Sequence, residues 1–580
     1  MSPMNPAVPL FPFPCLARPW WTAGLLWLVA APVLAADPAT QEWLRQQERE
    51  RILRQQQETA PDVRLPVPAL PAPERLQDES PCFPVQVMTL QGQDSGQFQW
   101  ALAAANQEAG QPDVAIGRCL GAKGINTVMR RIQNAIIERG FITTRILAEP
   151  QDLKAGELKL TVIPGRVRAV RTTAETPDRA TLWNALPVRP GELLNLRDVE
   201  QGLENLKRIP TAEADIQIAP AEGEQVRPGE SDLLVSWRQG FPFRVNLGVD
   251  DSGSKATGRY IGSATVAYDH WWTLNDLFYA SFNHDLGGGQ AGERGAKGYT
   301  VHYEVPYGYW LLGLTGSQYD YNQSVAGNTQ DYVYSGTSSS SEIRLSRIVH
   351  RDALRKTAVY LRGWRRDSRN YIDDTEVEVQ RRRMAGWETG VTHQVFRGSA
   401  VLNLEAGYRK GTGAMDALPA PEEAFDEGTS RPAILTASAQ LSAPFALGPL
   451  TLRYLGTWRA QWNRTPLVPQ DRFSIGGRYT VRGFDGESSL IGERGWLVRN
   501  DLGVVLGQSG QELYLGADYG HVGGPSTRYL LGRELAGVVL GLRGGLSRFS
   551  YDVFVGQPVL KPAGFQTPHV TAGFNLNLAI

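Results

Sequence analysis

The sequence predicts a transmembrane β-barrel of sixteen antiparallel strands, preceded by two α/β modules and an N-terminal polar helix. Three observations carry that expectation. The 580-residue chain opens with an export signal. From Phe241 to Ile580 helical periodicity disappears, and segments of about ten residues alternate apolar and polar side chains, as strands do when one face meets lipid and the other a wet lumen. Aromatic residues gather near strand ends, in Trp271 and Trp272, in Tyr307, Tyr309 and Trp310, and in Trp458 and Trp462, as in the girdles at membrane–water boundaries.

The export signal comes first. Thr22 to Leu34 is an apolar run too short to span a bilayer, and Val33-Leu34-Ala35 offers small residues where a signal peptidase cuts. Residues 1–35 are read as a signal peptide, with the alternative of a short membrane anchor. Its removal takes Cys15 with it and leaves Cys82 and Cys119. An even pair in an exported chain suggests one disulfide, against the alternative of two buried thiols. With 59 basic and 60 acidic residues, the formal net charge of -1 favours neither nucleic acid nor an anionic surface.

Residues 36–58 hold the polar helix. The stretch QEWLRQQERERILRQQQE has good helix formers and few apolar positions, Trp43, Leu44, Ile52 and Leu53. Such a helix has little to bury and belongs in a wet place. Residues 59–81 contain six prolines and read as an extended linker.

The first module, 82–163, combines the strand FPVQVMTL, a helix with Ile125, Val128, Ile132 and Ile136 on one face and Gly140 as its stop, and the strand GELKLTVIPG. The second, 164–238, repeats the plan with RVRAVRTT, a helix LRDVEQGLENLKRI halted by Pro210, and the strands ADIQIA and SDLLVSW. The barrel follows over 241–580. RVNLGVD, YTVHYEVPY, AVYLRGW, AVLNLEAGY, ELYLGADYG and HVTAGFNLNLAI are clear strands. Short connections (HWWTLN, GY, GQSGQ) alternate with long ones, which places the turns on the periplasmic side and the loops outside. The rival is a soluble β-sandwich or propeller, and the aromatic clustering and turn alternation count against it.

One long connection carries an unusual run, GGRYTVRGFDGE, residues 476–487. Its glycines let the loop fold back into the lumen of a barrel wide enough to hold water. Arg482 would then be partly desolvated and need a partner. In ELYLGADYG, Leu513, Leu515 and Ala517 alternate with Tyr514, Gly516 and Asp518, so the acid falls on the less apolar, lumen-facing side. An Arg482–Asp518 pair that pins the loop is expected, against the alternative of a solvated surface arginine.

The run GGRYTVRGFDGESSLIGERGWLVRNDL resembles the signature of two-partner secretion transporters of the outer-membrane Omp85 superfamily. Similarity extends to CFPVQVMTLQG, to the 117–167 stretch GRCLGAKGINTVMRRIQNAIIERGFITTRILAEPQDLKAGELKLTVIPGRV, and to DDSGSKATGRYIGSATVAYDHWWTLND. The resemblance implies that Val481, Arg482, Gly483 and Phe484 cap the lumen loop and that Asp518 is its anchoring acid. It implies that residues 36–58 are a plug helix and that the modules are POTRA domains, the first carrying Cys82 and Cys119. The chain departs from outer-membrane barrels in ending on Ile580 rather than an aromatic, with Phe574 further in.

The resemblance further implies export of one large, secreted, β-helical TpsA-type partner, an adhesin, haemolysin or contact-dependent toxin, across the outer membrane. Outer-membrane lipid and the barrel-assembly machinery are the other expected partners, and a monomer is the expected functional unit. The passenger surface is expected on the second module, where a sheet edge can take an extended strand and a helix-side groove its apolar side chains: Leu196, Val199, Leu203 and Leu206 with Ile216 and Ile218. The alternative is an Omp85-type assembly factor, which would carry more or differently arranged modules and no plug. A passive porin would not need the modules. No cofactor or metal is expected. The seven histidines have no metal-ligand spacing and no evident nucleophile partner, and no phosphate-cradling GxxxxGK[ST] loop occurs, so no enzymatic activity is expected.

Overall fold

The computed structural model describes residues 38–58, 62–66, 74–108, 110–223 and 226–580. The signal peptide and parts of the Pro-rich linker lie outside the described residues. Helix α1 runs from Pro38 to Gln57, 20 residues, and so is about 30 Å long.

The first module is built from β1 (Val87–Gln91), α2 (Ala122–Glu138), β2 (Arg145–Leu147) and β3 (Glu157–Ile163). β1 pairs parallel with β3, and β3 antiparallel with β2, so the last strand is central. Val128, Ile132 and Ile136 lie on one stripe of α2 and are buried against Leu158, Leu160 and Val162, which alternate along β3. Gly140 ends the helix at φ 96, a conformation that a side chain resists. The Cys82–Cys119 disulfide, with Cα atoms 5.3 Å apart, joins the two-residue strands Phe83–Pro84 and Cys119–Leu120.

The second module repeats this topology with β4 (Arg166–Thr172), α3 (Leu196–Leu206), β5 (Ala212–Pro220) and β6 (Glu230–Gln239). β6 is central, parallel to β4 and antiparallel to β5, which leaves β5 at an edge. The Asn195 side chain caps α3 by accepting from the Arg197 N–H at 2.9 Å.

The expected groove beside α3 is not there. Leu196, Val199, Leu203 and Leu206 are buried, and so is Ile216. Val199, Leu203, Leu206 and Ile216 share a core with Leu233, Val235 and Trp237, and Ile218 packs half-buried against it. The polar side of α3 is covered as well, because it docks on the barrel rim. Arg351 reaches Gln201 and Glu204 at 2.8 Å each and Glu200 at 3.4 Å, and Lys356 reaches Glu204 at 3.0 Å. Arg208 donates to Glu304 at 2.7 Å and Asn205 to the Gly308 carbonyl at 2.8 Å. The α3 residues expected on the passenger surface thus lie in the core of the module, on a helix docked against the barrel rim. Linker residues 62–66 join this junction. Val63 enters the module core, its carbonyl accepts from Arg351, and the Leu65 N–H donates to Glu200 at 2.9 Å.

Sixteen strands close the barrel. They are β7 (Phe243–Asp250), β8 (Ile261–Asp269), β9 (Leu277–Asp285), β10 (Arg294–Tyr307), β11 (Trp310–Ala326), β12 (Asp331–Arg351), β13 (Arg355–Ile372) and β14 (Arg382–Arg397). There follow β15 (Ala400–Thr412), β16 (Ala433–Leu447), β17 (Leu450–Asn463), β18 (Arg494–Val505), β19 (Glu512–Gly523), β20 (Glu534–Leu546), β21 (Phe549–Leu560) and β22 (Thr571–Ala579). Each pairs antiparallel with its neighbour, and β22 returns to β7. The closing seam is short, running from Asn246 opposite Ala579 to Asp250 opposite Asn575. Ile580 lengthens it by exchanging hydrogen bonds with Val245, at 2.8 and 3.2 Å. The non-aromatic terminus thus still completes the wall. Along β10, Ala296, Thr300, His302 and Glu304 turn inward and are buried, while Tyr299, Val301 and Tyr307 are exposed outward. Two-residue turns close the module end, with Gly308, Gly398 and Gly448 at φ near +58 where a tight hairpin needs a positive φ.

Burial raises the Glu204 carboxyl, but Lys356 and Arg351 beside it outweigh burial and hold it below the usual carboxylate range. A depressed carboxylate contributes stability that is full at neutral pH and is lost as pH falls through its folded-state pKa, so acid below the ordinary carboxylate range loosens the α3 junction. Arg351→Ala at neutral pH removes the shared partner of buried Glu200 and Glu204 at a cost of about 3 kcal/mol. Amide exchange across α3 then speeds about a hundredfold while β15–β20 stay protected. Unchanged α3 protection would contradict the docking.

Candidate functional site

The lumen of the barrel is occupied by two segments from outside its wall, one held by polar contacts and the other by polar and apolar contacts together. The first is the loop between β17 and β18. It begins as a small hairpin, Phe473–Ile475 paired with Leu490–Gly492, and folds inward at residues 476–489. Arg482 sits at its tip, 3 % exposed. Its Nε donates to Asp518 Oδ2 at 2.7 Å and its Nη2 to Asp518 Oδ1 at 2.8 Å, the parallel fork that guanidinium and carboxylate favour. The Arg482 backbone N–H adds a third bond to the same carboxylate at 2.9 Å. Asp518 itself is 4 % exposed, on the inward face of β19.

The other three residues of the tetrad have separate tasks. Val481 is fully buried in an apolar cluster with Ile475, Leu497, Val522 and Leu535. Phe484 belongs to the same cluster and meets Phe565, from the β21–β22 loop, edge-on at 5.8 Å between centroids. Gly483 has φ 94, and a Cβ there would lie 2.6 Å from the Gln557 carbonyl oxygen. Across from it, a Cβ on Gly537 would strike the Arg482 carbonyl. Backbone therefore lies directly on backbone where the tip meets β20 and β21, which only glycine permits.

Sequence reasoning did not assign Asp501. Arg482 Nη2 also donates to Asp501 Oδ1 at 2.5 Å, and Asp501 Oδ2 accepts from Arg543 at 2.9 Å. Arg543 continues to Glu512, which also pairs with Arg453. The clasp is thus the end of a charge ladder across the inner wall. The available signal was parity: Arg499 and Asp501 sit two apart on β18, and Arg499 lies opposite Asp518.

The second segment is α1, which lies in the lumen. Glu42 accepts from Tyr319 of β11 at 2.9 Å and from Ser254 and Thr257 at 3.2 Å each. Glu48 takes Arg459 of β17 at 2.6 and 3.1 Å, and Arg54 takes Glu342 of β12 at 3.0 and 3.3 Å. Glu50 meets Ser317 and Glu58 meets Tyr279, both at 2.8 Å. These partners surround the helix and run down its length. Arg45 donates to the Gly486 carbonyl at 2.6 Å, so the helix also touches the folded-in loop. The fit is loose, because a cavity of about 280 Å³ remains between the helix and a wall that includes Ser339, Ser340 and Arg365.

Among the described residues no cluster of His, Cys, Asp and Glu could hold a metal ion. The arrangement positions two inserted segments against the inner wall through paired charges and hydroxyls.

The model for haemolysin secretion/activation proteins of the ShlB/FhaC/HecB type matches residues 229–544. POTRA models match 83–165, of the ShlB type, and 166–220. The chain is 36 % identical to the outer membrane transporter CdiB-2 of Burkholderia pseudomallei over 93 % of its own length and 94 % of the relative's. It is 29 % identical to CdiB of Dickeya dadantii over 80 % and 82 %. The solved CdiB of Acinetobacter baumannii superposes with a TM-score of 0.82 at 31 % identity, covering 94 % of this chain and 99 % of that one.

Replacing Arg482 by Ala leaves Asp518 and Asp501 buried without their shared cation, at a cost of about 3–5 kcal/mol. The barrel ladder should survive, so the expected outcome is a folded, heat-modifiable barrel that unfolds at lower temperature and exports poorly. Reversing the pair (Arg482→Asp with Asp518→Arg) should not restore it, because the new acid faces Asp501. Thermal unfolding in detergent micelles measures both, and full stability in Arg482→Ala would refute the clasp.

Proposed function

The chain belongs to the haemolysin secretion/activation family, an outer-membrane transporter family whose POTRA modules face the periplasm, and we propose that it exports a large secreted partner protein through its barrel, with α1 as a displaceable stopper and the Arg482 loop as a fixed wall element. The observation that carries this is the polar seating of α1. A helix packed by apolar side chains would be part of the core, whereas one held by ion pairs and hydroxyls can exchange each bond for water. The partner would supply the net work by folding outside, since a folded segment cannot slide back.

The entry surface is the free edge of β5, the part of the expected passenger surface that burial leaves available. An extended segment can add to that edge through backbone bonds, while Ile216 and Ile218 stay in the core. A large secreted TpsA-type protein is the partner this supports.

The tether limits how α1 leaves. Only residues 59–61 separate Glu58 from the anchored segment 62–66, and four extended steps reach about 14 Å, half the helix length. Full exit therefore needs Val63 and Leu65 to detach from the second module.

Deleting residues 38–58 should raise single-channel conductance in planar bilayers, and an unchanged channel would sink the stopper. Val63→Ser should instead raise the frequency of opening without altering the conductance of the open pore. For transport itself, cells making the chain with the product of a long adjacent reading frame should release that product, and release without the chain would overturn the proposal.

A further inference from the structure

The connection from β4 to α3 reaches beyond its module and is fastened to two adjacent barrel turns. Asn184 donates to the carbonyls of Leu274 at 2.6 Å and Pro306 at 3.2 Å. Its own carbonyl accepts from the Gly308 N–H at 2.7 Å. Asn275 donates to Asn184 Oδ1 at 2.8 Å and to the Thr181 carbonyl at 2.7 Å. The His270 ring faces the Arg179 carbonyl at 2.9 Å. Asn184, His270 and Asn275 are all buried, so this part of the loop is held in one place.

Trp183 stands next to the most firmly held of these residues and is 67 % exposed. Ala185 and Leu186, just after it, are buried. A large apolar ring held outward by a fixed backbone is an exposure that the fold maintains, and where it joins other exposed rings it forms a patch that marks a contact surface. Its position says what kind. The Trp183 ring lies 6.1 Å from that of Tyr307. Tyr307 ends the outward-facing row of β10, the row that also carries Tyr299 and Val301 toward lipid. Beside it, Trp272 packs on Tyr303 at 5.3 Å, and Trp271 packs on Phe278 at 4.6 Å and on Tyr268 at 5.9 Å. These rings form the module-end girdle of the barrel. Trp183 therefore extends an aromatic belt of the wall with a ring from a different domain. Arg189, on the same loop and exposed, donates to the Tyr307 hydroxyl at 3.2 Å. Arg347 stacks on Trp310 of the next strand at 5.0 Å. Indole and phenol rings beside guanidinium groups match the boundary where acyl chains give way to phosphates.

We propose that the second module contacts the membrane directly: Trp183 enters the headgroup layer of the adjoining phospholipid leaflet beside Tyr307, and Arg189 lies within reach of lipid phosphate. The inference rests on the barrel being membrane-embedded and not on what it exports. A lipid occupant is favoured over a protein one because Trp183 continues a lipid-facing belt on the outer side of the wall, away from the lumen through which a passenger would pass. The contact adds a third support to the module, beside the Arg351 junction and the Asn184 clamp, and so fixes its tilt against the membrane plane.

The test uses the full-length protein in phosphatidylcholine–phosphatidylglycerol vesicles. Trp183 is one of fifteen tryptophans in the sequence, twelve of them beyond residue 35, so its emission is obtained by subtracting the spectrum of Trp183→Phe from that of the unaltered chain. The same subtraction with Trp272→Phe supplies the reference for a girdle position. Lipids brominated along the acyl chain should quench the Trp183 difference spectrum by at least half of what they quench for Trp272, and its maximum should be blue-shifted. A red, water-like difference spectrum quenched by acrylamide but not by brominated lipid would overturn the proposal. So would a blue-shifted spectrum untouched by brominated lipid, which would mean that a second copy covers the ring. Phe at an exposed position keeps the fold, and export by Trp183→Phe provides an independent check: loss of export with full lipid quenching in the unaltered chain leaves the lipid contact standing and bears only on transport.

Discussion

An amide left open in hydrocarbon has no water to bond, and that penalty governs the rest of this molecule. It forces the strands to close, down to the short seam in which Ile580 bonds Val245. Closing sixteen strands leaves a lumen too wide for wall side chains to fill. The interior must then be occupied by something else or remain an open pore. Here α1 and the β17–β18 loop occupy it, and both pair their charged side chains with charges of the wall. Outer girdle, inner charge ladder and inserted segments are three consequences of one requirement.

The two inserted segments are held by different physics. Around the loop tip, Val481, Phe484, Ile475 and Leu535 supply apolar burial, and Gly483 lets backbone approach backbone. Arg482 adds direction more than energy. Burying a guanidinium with two carboxylates costs desolvation that the ion pairs only roughly offset. An apolar side chain of like volume would stick as well, but would not select Asp518 over other places on the wall. The clasp fixes where the loop sits, while the apolar cluster holds it there.

Much of this was legible in the sequence because strands carry their own ruler. A period of two places Asp518 on the lumen face once Leu513 and Leu515 face lipid, and the glycines around Arg482 mark a chain that folds back. Asp501 obeys the same parity. The setting of α3 is not legible in the same way. Amphipathic spacing identifies which face of a helix is apolar, but the polar face of α3 carries Glu200 and Glu204, whose cation, Arg351, comes from the end of a distant barrel strand. Nor does a Pro-rich composition reveal that Val63 and Leu65 anchor the linker in the second module. Long-range partners of polar side chains are what local pattern cannot supply.

The same contrast orders the events that opening requires. The bonds of α1 are spread over separate positions on β9, β11, β12 and β17, so they can break in turn as the helix slides, each opened group meeting water in a lumen that is already partly empty. The loop tip has no such route. Lifting Arg482 exposes two buried acids at once and tears Val481 and Phe484 from their cluster in the same motion. A force along the barrel axis therefore dislodges the helix before the loop. Arg45 ties α1 to the folded-in loop through a carbonyl, that of Gly486, rather than a charge. Losing it leaves no buried ion behind in the loop, so this contact does not bind the helix to the Arg482–Asp518 clasp.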